Sequence, residues 1–380
     1  MIYLDYAATA PLRPQIAELL SQPWLGTLGN PSSLHRAGRQ ARHLLEGARE
    51  RCAEALGAKV EEIVFCSGAT EADNLAILGP LQHGDNQHQG LITSALEHAA
   101  VFATAHKLSE SGQPVRWLEV SSAGQISLVC LQTELAAEPR SLVSVMAANN
   151  EVGSLQPVDA VSSLVREHGA LLHVDAVQDP RKARELITNK QVDLLTLSGH
   201  KLGGLPGGLL YVRQGVPLAP LIVGGAQEDG RRAGTSEVLR AVSLATALEL
   251  TLAESPTEVS ESRDLLEGRL LELPGAVRLG PQDSKERAPH ISSWLFGELS
   301  AEPILAKLDL AGVCASSGSA CSSHAVEPSR VVSAMGYAER AMGLVRFSLG
   351  WNTKIDEVRR AADLVEETLQ KMMAREKVKR

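Results

Sequence analysis

Reactive side chains fall where apolar runs end. HVDAVQ places Asp175 and Gln178 after one apolar stretch, and SGHKLGG places Ser198, His200 and Lys201 after another. A lysine beside a ligand site can lose its proton and form an imine with a carbonyl compound. A carboxylate withdrawn from water needs a cationic partner, because desolvation otherwise neutralises it. Asp175 and Lys201 are 26 positions apart, about one strand–helix–strand unit, so neighbouring strands can present both at one sheet edge. SGATEADN, Ser67 to Asn74, reads as a strand, a Gly-containing turn and a helix starting near Thr70, with Asp73 spaced for a capping box. The free N–H groups and the dipole of such a helix start suit a phosphate. ASSGSACSS surrounds Cys321 with small polar residues, so that thiol has no apolar neighbours to be buried with.

Taken singly, these strings also have plain structural readings. SGATEADN is a capped helix, Asp175 can cap the next turn, and a loop lysine is commonly solvated. Cys52, Cys66, Cys130 and Cys314 read as small hydrophobes. Six residues lie between Cys314 and Cys321, which is no metal-ligand spacing, and no metal is expected. His98 follows a strand in LEHAAV, and Asn149, Asn150 and Glu151 end another. Arg231 and Arg232 precede Ala233, Gly234 and Thr235. Arg346 sits in the apolar stretch LVRFSL, where a buried guanidinium wants an anion, either a substrate carboxylate or a structural partner.

The elements that must position these groups follow from hydrophobic period. Buried strands are expected at 61–67, 90–95, 141–149, 170–176, 192–198 and 207–213, with amphipathic stretches between them. Leu34, Ala37, Ala41, Leu44, Ala48, Cys52 and Ala55 form a helical stripe, and Val158 to His168 a shorter one. A long buried helix is expected from about Glu237 to Glu254. This alternation is that of a parallel sheet wrapped by helices. SPTEVSESRD breaks the rhythm, and a second unit follows, with strands near 290–296 and 343–350 and a closing helix on Ile355, Val358, Ala362, Val365, Leu369 and Met372. The tail REKVKR is expected to fray.

Composition narrows the function classes. At 380 residues, 44% hydrophobic and 22% charged, the chain is an ordinary globular one of two or three domains. Its formal charge of −8 argues against a general nucleic-acid-binding surface. Five cysteines without a CxxC pair argue against a disulfide framework. No apolar run reaches the length of a membrane span, and the first residues, with Asp5 among them, hold no apolar leader core, so a cytoplasmic location is expected.

In this order, LDYAATAP, NPSSLHRAGR, FCSGATEADNLAI, EHAAV, NNEVGSLQP, HVDAVQ, SGHKLGG, RRAGTSEV, SSGSACSS and RFSLG resemble the pyridoxal-phosphate cysteine desulfurases of the NifS/IscS type over nearly the whole chain. The resemblance implies an α/β, fold-type-I transferase. Its large domain, 13–252, would hold a mostly parallel seven-stranded sheet. Residues 1–12 and 253–380 would form a smaller α+β domain carrying the Cys321 loop. It implies that Lys201 joins the cofactor covalently, that Asp175 pairs with the ring nitrogen, and that Gln178 bonds the ring hydroxyl. His98 would stack on the ring and relay a proton, and Ala69, Thr70, Ser198 and His200 would hold the phosphate. Thr235 would reach the phosphate of a neighbouring subunit, which implies a homodimer. Asn150 would serve both cofactor and substrate. Arg346 and Asn30 would join it on the substrate carboxylate, and Cys321 would take the sulfur as a persulfide, leaving L-alanine. A thiol of ordinary pKa is only a few per cent thiolate at neutral pH, so this one needs help from its setting.

The sulfur would pass to an acceptor protein, in iron–sulfur cluster, thio-cofactor or thio-nucleoside synthesis. The chain departs from the common pattern at Ala226, Asp229, Ser322 and His324, and in the loop GGLPGG. Rival readings are a selenocysteine lyase or other class V aminotransferase-like enzyme, an inactive paralogue acting as a sulfur-transfer scaffold, and a phosphate-binding module. Cys321 is the discriminator for the first, since an aminotransferase needs no thiol there; retention of Lys201, Asp175, His98, Arg346 and Cys321 together counts against the second; and the third leaves Cys321 and Lys201 unexplained.

Overall fold

A two-residue strand, β1 (Ile2–Tyr3), opens the chain, and a helix, Arg36–Leu56, precedes the first strand of the main sheet. The computed structural model describes residues 1–83, 90–318 and 327–379. The main sheet holds β2 (Ile63–Cys66), β3 (Leu91–Ser94), β4 (Val115–Leu118), β5 (Leu142–Met146), β6 (Leu171–Asp175), β7 (Leu194–Ser198) and β8 (Gly208–Val212) in the spatial order β2-β8-β7-β6-β5-β3-β4. All pairings are parallel except the two made by β8. The loop 199–207 between β7 and β8 is too short for a crossover helix, so β8 returns antiparallel. Strands β3, β5, β6, β7 and β8 are buried throughout, which is why they read as apolar runs rather than alternating ones.

The expected α/β architecture and its seven-stranded, mostly parallel sheet are therefore present, and all six expected strands lie in it. The seventh, β4, escaped the sequence reading because it is a four-residue edge strand, VRWL, with Arg116 exposed. The expected helices are found at Arg36–Leu56, Val158–Glu167 and Val238–Ala253. The first and last pack together on one face of the sheet, and Ala69–Leu81 and Ala99–Glu110 cover the other.

A second core joins Ile2 and Leu4 to Leu266, Leu270, Trp294, Phe296, Phe347, Val365 and Leu369. Its sheet is antiparallel, β9 (Ala276–Arg278), β10 (Ile291–Phe296) and, after the short β11 (Val313–Cys314), β12 (Val345–Ser348), in the order β12-β10-β9. β1 pairs with β11 in parallel, so the first residues belong with the C-terminal third.

Three local expectations change. The helix after SGA begins at Ala69 with Gly68 as an uncapped N-cap. Asp73 faces inward at 1% exposure and forms no capping box, because its helix position turns it toward the sheet. The Glu71 carboxylate instead accepts from Ser67 N–H at 2.8 Å. SPTEVSESRD does not interrupt the fold but starts the helix Thr257–Leu270, whose buried Glu267 takes Arg278 and Arg287. The closing helix, Ile355–Lys379, carries the tail in helical form through Lys379. No helix among the described residues is long and apolar enough to cross a membrane.

Candidate active site

The carboxyl edge of the main sheet gathers most of the expected groups. Parallel β6 and β7 run in register, Asp175 opposite Thr196, so the two strands release their chains at the same edge. Asp175 is the last residue of β6 and 6% exposed, and its Oδ1 accepts from Val177 N–H at 3.0 Å. Burial raises its pKa, and the charges of His98 and Lys201 oppose that rise. Lys201 lies in the single turn Gly199–Leu202 that follows β7, and Gly203, at φ 83, ends the turn in a left-handed conformation. Its Nζ donates to the carbonyls of Ala7 at 2.7 Å and Ala8 at 2.6 Å. Gln178 Nε2 also donates to Ala7 O, at 3.0 Å, and its Oε1 faces His290 Nε2 at 3.0 Å. His200 Nδ1 lies 3.1 Å from Thr9 Oγ1, and burial beside Lys201 and His98 pushes His200 down to about 4, so its ring is neutral. His98 caps the helix Ala99–Glu110 by accepting Ala100 N–H on Nδ1 at 3.2 Å.

A phosphate cradle borders this edge. The helix Ala69–Leu81 has no side-chain cap, so the first N–H groups, at Ala69 and Thr70, have no side chain to satisfy them. Open space adjoins Gly68, since a Cβ there would meet no atom within 4 Å. Ser198 ends β7 across from Gly208. A Cβ at Gly208 would lie 2.3 Å from Gly68 O, so glycine is needed for β8 to approach the turn. An uncapped helix start, a buried carboxylate and a lysine at one sheet edge are the donor set that pyridoxal phosphate requires, and the residues present fit it.

Thr235 is exposed, in a loop anchored beside this turn. Arg232 Nε donates to Glu71 Oε1 at 2.7 Å. Glu228 is buried, receiving Arg49 at 2.6 and 2.9 Å and Phe65 N–H at 2.9 Å. Asp229, one of the departures, continues the left-handed turn that Glu228 begins, at φ 54 and 49.

The substrate side is built on β12. Arg346 is 1% exposed, and its guanidinium donates from Nη1 to Asn150 O at 2.7 Å and from Nη2 to Asp5 Oδ1 at 2.8 Å. Asn150 thus touches Arg346 through its backbone carbonyl. Asn30 is exposed and its Oδ1 accepts Ser32 N–H at 2.9 Å; no hydrogen bond among the described residues joins its side chain to the cluster. Cys321, with Ser322 and His324, lies outside the described residues. The flanks of that segment reach the site: Ser316 exchanges backbone hydrogen bonds with Arg346, and Ser329 Oγ donates to Glu151 Oε2 at 2.5 Å. Of the other cysteines, Cys52 and Cys66 are buried, with thiols that burial pushes up, to about 12 for Cys52, so they are inert. Cys130 and Cys314 are partly exposed.

Several groups here gave no separate signal. Asp5 and the carbonyls of Ala7 and Ala8 sit in a string that suggested nothing chemical by itself, and His290 lay unremarked at the turn just before β10. Under Asp175 runs a buried polar layer. His173 lies 2.9 Å from Ser144 Oγ and 3.1 Å from Thr196 Oγ1, with Asp73 Oδ1 at 3.7 Å. Desolvation pushes His173 down to about 3, so its ring is neutral, and pushes Asp73 well above the ordinary carboxyl value. It pushes Glu97 up to about 8, with the Asp175 charge adding to the rise.

The profile of the family described as Aminotransferase class-V matches residues 2–361. The chain is 37% identical over 377 residues to "Cysteine desulfurase IscS" of Dictyoglomus turgidum, covering 98% of this chain and 95% of that protein. It is 39% identical over 380 residues to a "Cysteine desulfurase" of Nostoc sp., covering 98% and 94%. Among solved structures, one titled "NIFS-LIKE PROTEIN" superposes with a TM-score of 0.87 at 33% identity, covering 97% of this chain and 99% of that one.

Proposed function

We infer, because the chain belongs to the class-V aminotransferase family and stands among its cysteine desulfurases, that the cluster at the β6–β7 edge moves sulfur from L-cysteine to a protein acceptor. The enzyme is pyridoxal-phosphate dependent. When bound, that group supplies an aldehyde for the substrate's nitrogen and a ring that accepts electrons from Cα. The observation that carries the reading is the convergence of Asp175 and Lys201 on adjacent parallel strand ends beside an uncapped helix start.

Each residue then has a task at a stated atom. Asp175, with Gln178 and His98 around it, holds the ring and keeps its nitrogen protonated. Ala69, Thr70, Ser198 and His200 take the phosphate, and a neutral His200 does so by donating a hydrogen bond rather than a charge. Arg346 fixes the substrate's carboxylate, with Asn150 holding the guanidinium in place. Lys201 Nζ takes the proton from Cα as a general base, which a lysine does once it is uncharged, from a position fixed by its hydrogen bonds to the carbonyls of Ala7 and Ala8. Cys321 attacks the substrate's sulfur as thiolate. The Cβ–S bond breaks as an S–S bond forms on the enzyme, its electron pair passes to Cβ, which takes a proton, and Lys201 returns a proton to Cα, giving L-alanine and a persulfide. Asn30 is a further contact for the substrate carboxylate in this reading.

The same reading makes 13–252 the cofactor-binding domain, and 1–12 with 253–380 the domain that carries Cys321. It also makes the enzyme a cytoplasmic homodimer in which Thr235 of each subunit reaches its partner's phosphate. The acceptor is a protein thiol, serving iron–sulfur cluster, thio-cofactor or thio-nucleoside synthesis. Incubating the enzyme with L-cysteine and reductant tests it. Equal amounts of alanine and sulfide are expected, and C321S should still bind cysteine while releasing little sulfide. Pyruvate and ammonia, or full sulfide release by C321S, would overturn the reading.

A further inference from the structure

Arg346, on which the reading above places the substrate's carboxylate, already holds one. Asp5 Oδ1 accepts from Nη2 at 2.8 Å, and the two side chains are 2% and 20% exposed for Arg346 and Asp5. Asp5 does not reach this place by chance of rotamer. It forms a parallel bridge to Ser348 on β12, Tyr6 N–H donates to Ser348 O at 3.2 Å, and Ala7 N–H donates to Ser348 Oγ at 2.9 Å. The N-terminal segment is thus laid along the strand that carries Arg346. From there it also meets Lys201 and Gln178 through Ala7 O, and His200 through Thr9.

A guanidinium buried to this degree needs an anion or a full set of acceptors when no substrate is present. Asp5 and the Asn150 carbonyl supply them, and Arg346 Nε has no hydrogen-bond partner among the described atoms. An incoming carboxylate must therefore share the fork with Asp5 or displace it. Either way it meets a like charge at close range in a partly desolvated site.

We propose that Asp5 tunes ligand affinity at Arg346: a built-in carboxylate that occupies Arg346 between turnovers and weakens the hold on substrate and product alike, so that alanine leaves readily. The proposal rests on the assignment of Arg346 to the substrate's carboxylate. Its arithmetic is that of antagonism at one cation: whatever affinity Asp5 takes from the ligand returns when the charge on Asp5 is removed.

The test is D5N in the enzyme with its cofactor, with the dissociation constant of L-alanine read at equilibrium from cofactor absorbance rather than from turnover. D5N should bind alanine about three- to tenfold more tightly than wild type, the range that one ordinary net hydrogen bond represents. KM for L-cysteine should fall in parallel. D5S, which also removes the charge, repeats the measurement if D5N does not fold. An R346A control separates the two assignments. If R346A loses alanine binding while D5N and D5S bind it as wild type does, or more weakly, the placeholder role is overturned. If R346A binds alanine normally, the assignment of Arg346 itself is overturned.

Discussion

Glu97 offers a quantitative check on the layer beneath Asp175. Its side chain lies in a residue 1% exposed, Oε1 accepts from Ser94 Oγ at 3.1 Å, and Oε2 has no partner among the described atoms. Burial first, and the Asp175 charge second, raise its pKa from 4.5 to about 8. Between those values the folded protein keeps a proton that the unfolded chain has lost. Raising the pH through this window therefore favours unfolding, and stability should decline from about pH 4.5 to about pH 8. At about 1.4 kcal/mol for each pH unit separating the two pKa values, the full loss is about 5 kcal/mol, of which about 3–4 kcal/mol falls between pH 5 and pH 8. Glu97→Gln keeps the shape and removes the titration. Matched urea unfolding of wild type and E97Q at half-unit steps should show the variant gaining on wild type by up to that amount as pH rises. A difference that stays flat from pH 5 to pH 8 would mean that Glu97 is ionised in the fold, and the account of this layer would be wrong.

Two further substitutions probe the frame around the cofactor. Gly208→Ala puts a methyl 2.3 Å from Gly68 O, 2.4 Å from Gly68 C and 3.0 Å from Ala69 N, all backbone atoms of the phosphate turn. Titration of the apoprotein with pyridoxal phosphate should show about tenfold weaker binding or worse; wild-type affinity would show that the turn does not hold the phosphate. Glu228→Gln removes the buried carboxylate from the Arg49 guanidinium, leaving it only the half-exposed Glu46 at 3.0 Å, while keeping the side chain's volume. The cost should be about 3 kcal/mol or more, read as a lowered melting temperature in calorimetry, and an unchanged melting temperature would place the anchoring of the Thr235 loop elsewhere.

Hydrophobic period and turn chemistry are local properties, and they sufficed for most of the elements here. The runs at 170–176 and 192–198 are apolar because β6 and β7 are buried on both faces, and the 26-residue interval between Asp175 and Lys201 announces one βαβ unit. The order of motifs was enough to suggest the chemistry. Where a short segment depends on distant partners, the pattern is silent or misleads. β4 is an edge strand held by β3 alone. Asp73 has the spacing of a cap but the burial of a core residue, a choice made by the sheet beneath its helix.

The pairings that decide charge are longer-ranged still. Asp5 and Arg346 are 341 residues apart, and the Ala7 carbonyl meets Lys201 only because β1 joins β11 and the segment after it lies along β12. Residue types thus set which reaction the chain could perform, since acids, bases and thiols are covalent facts of the sequence. Which of them share a low-dielectric space, and therefore which are charged, follows from packing between segments far apart in the chain, where Coulomb and desolvation terms depend on distances in space rather than along the sequence.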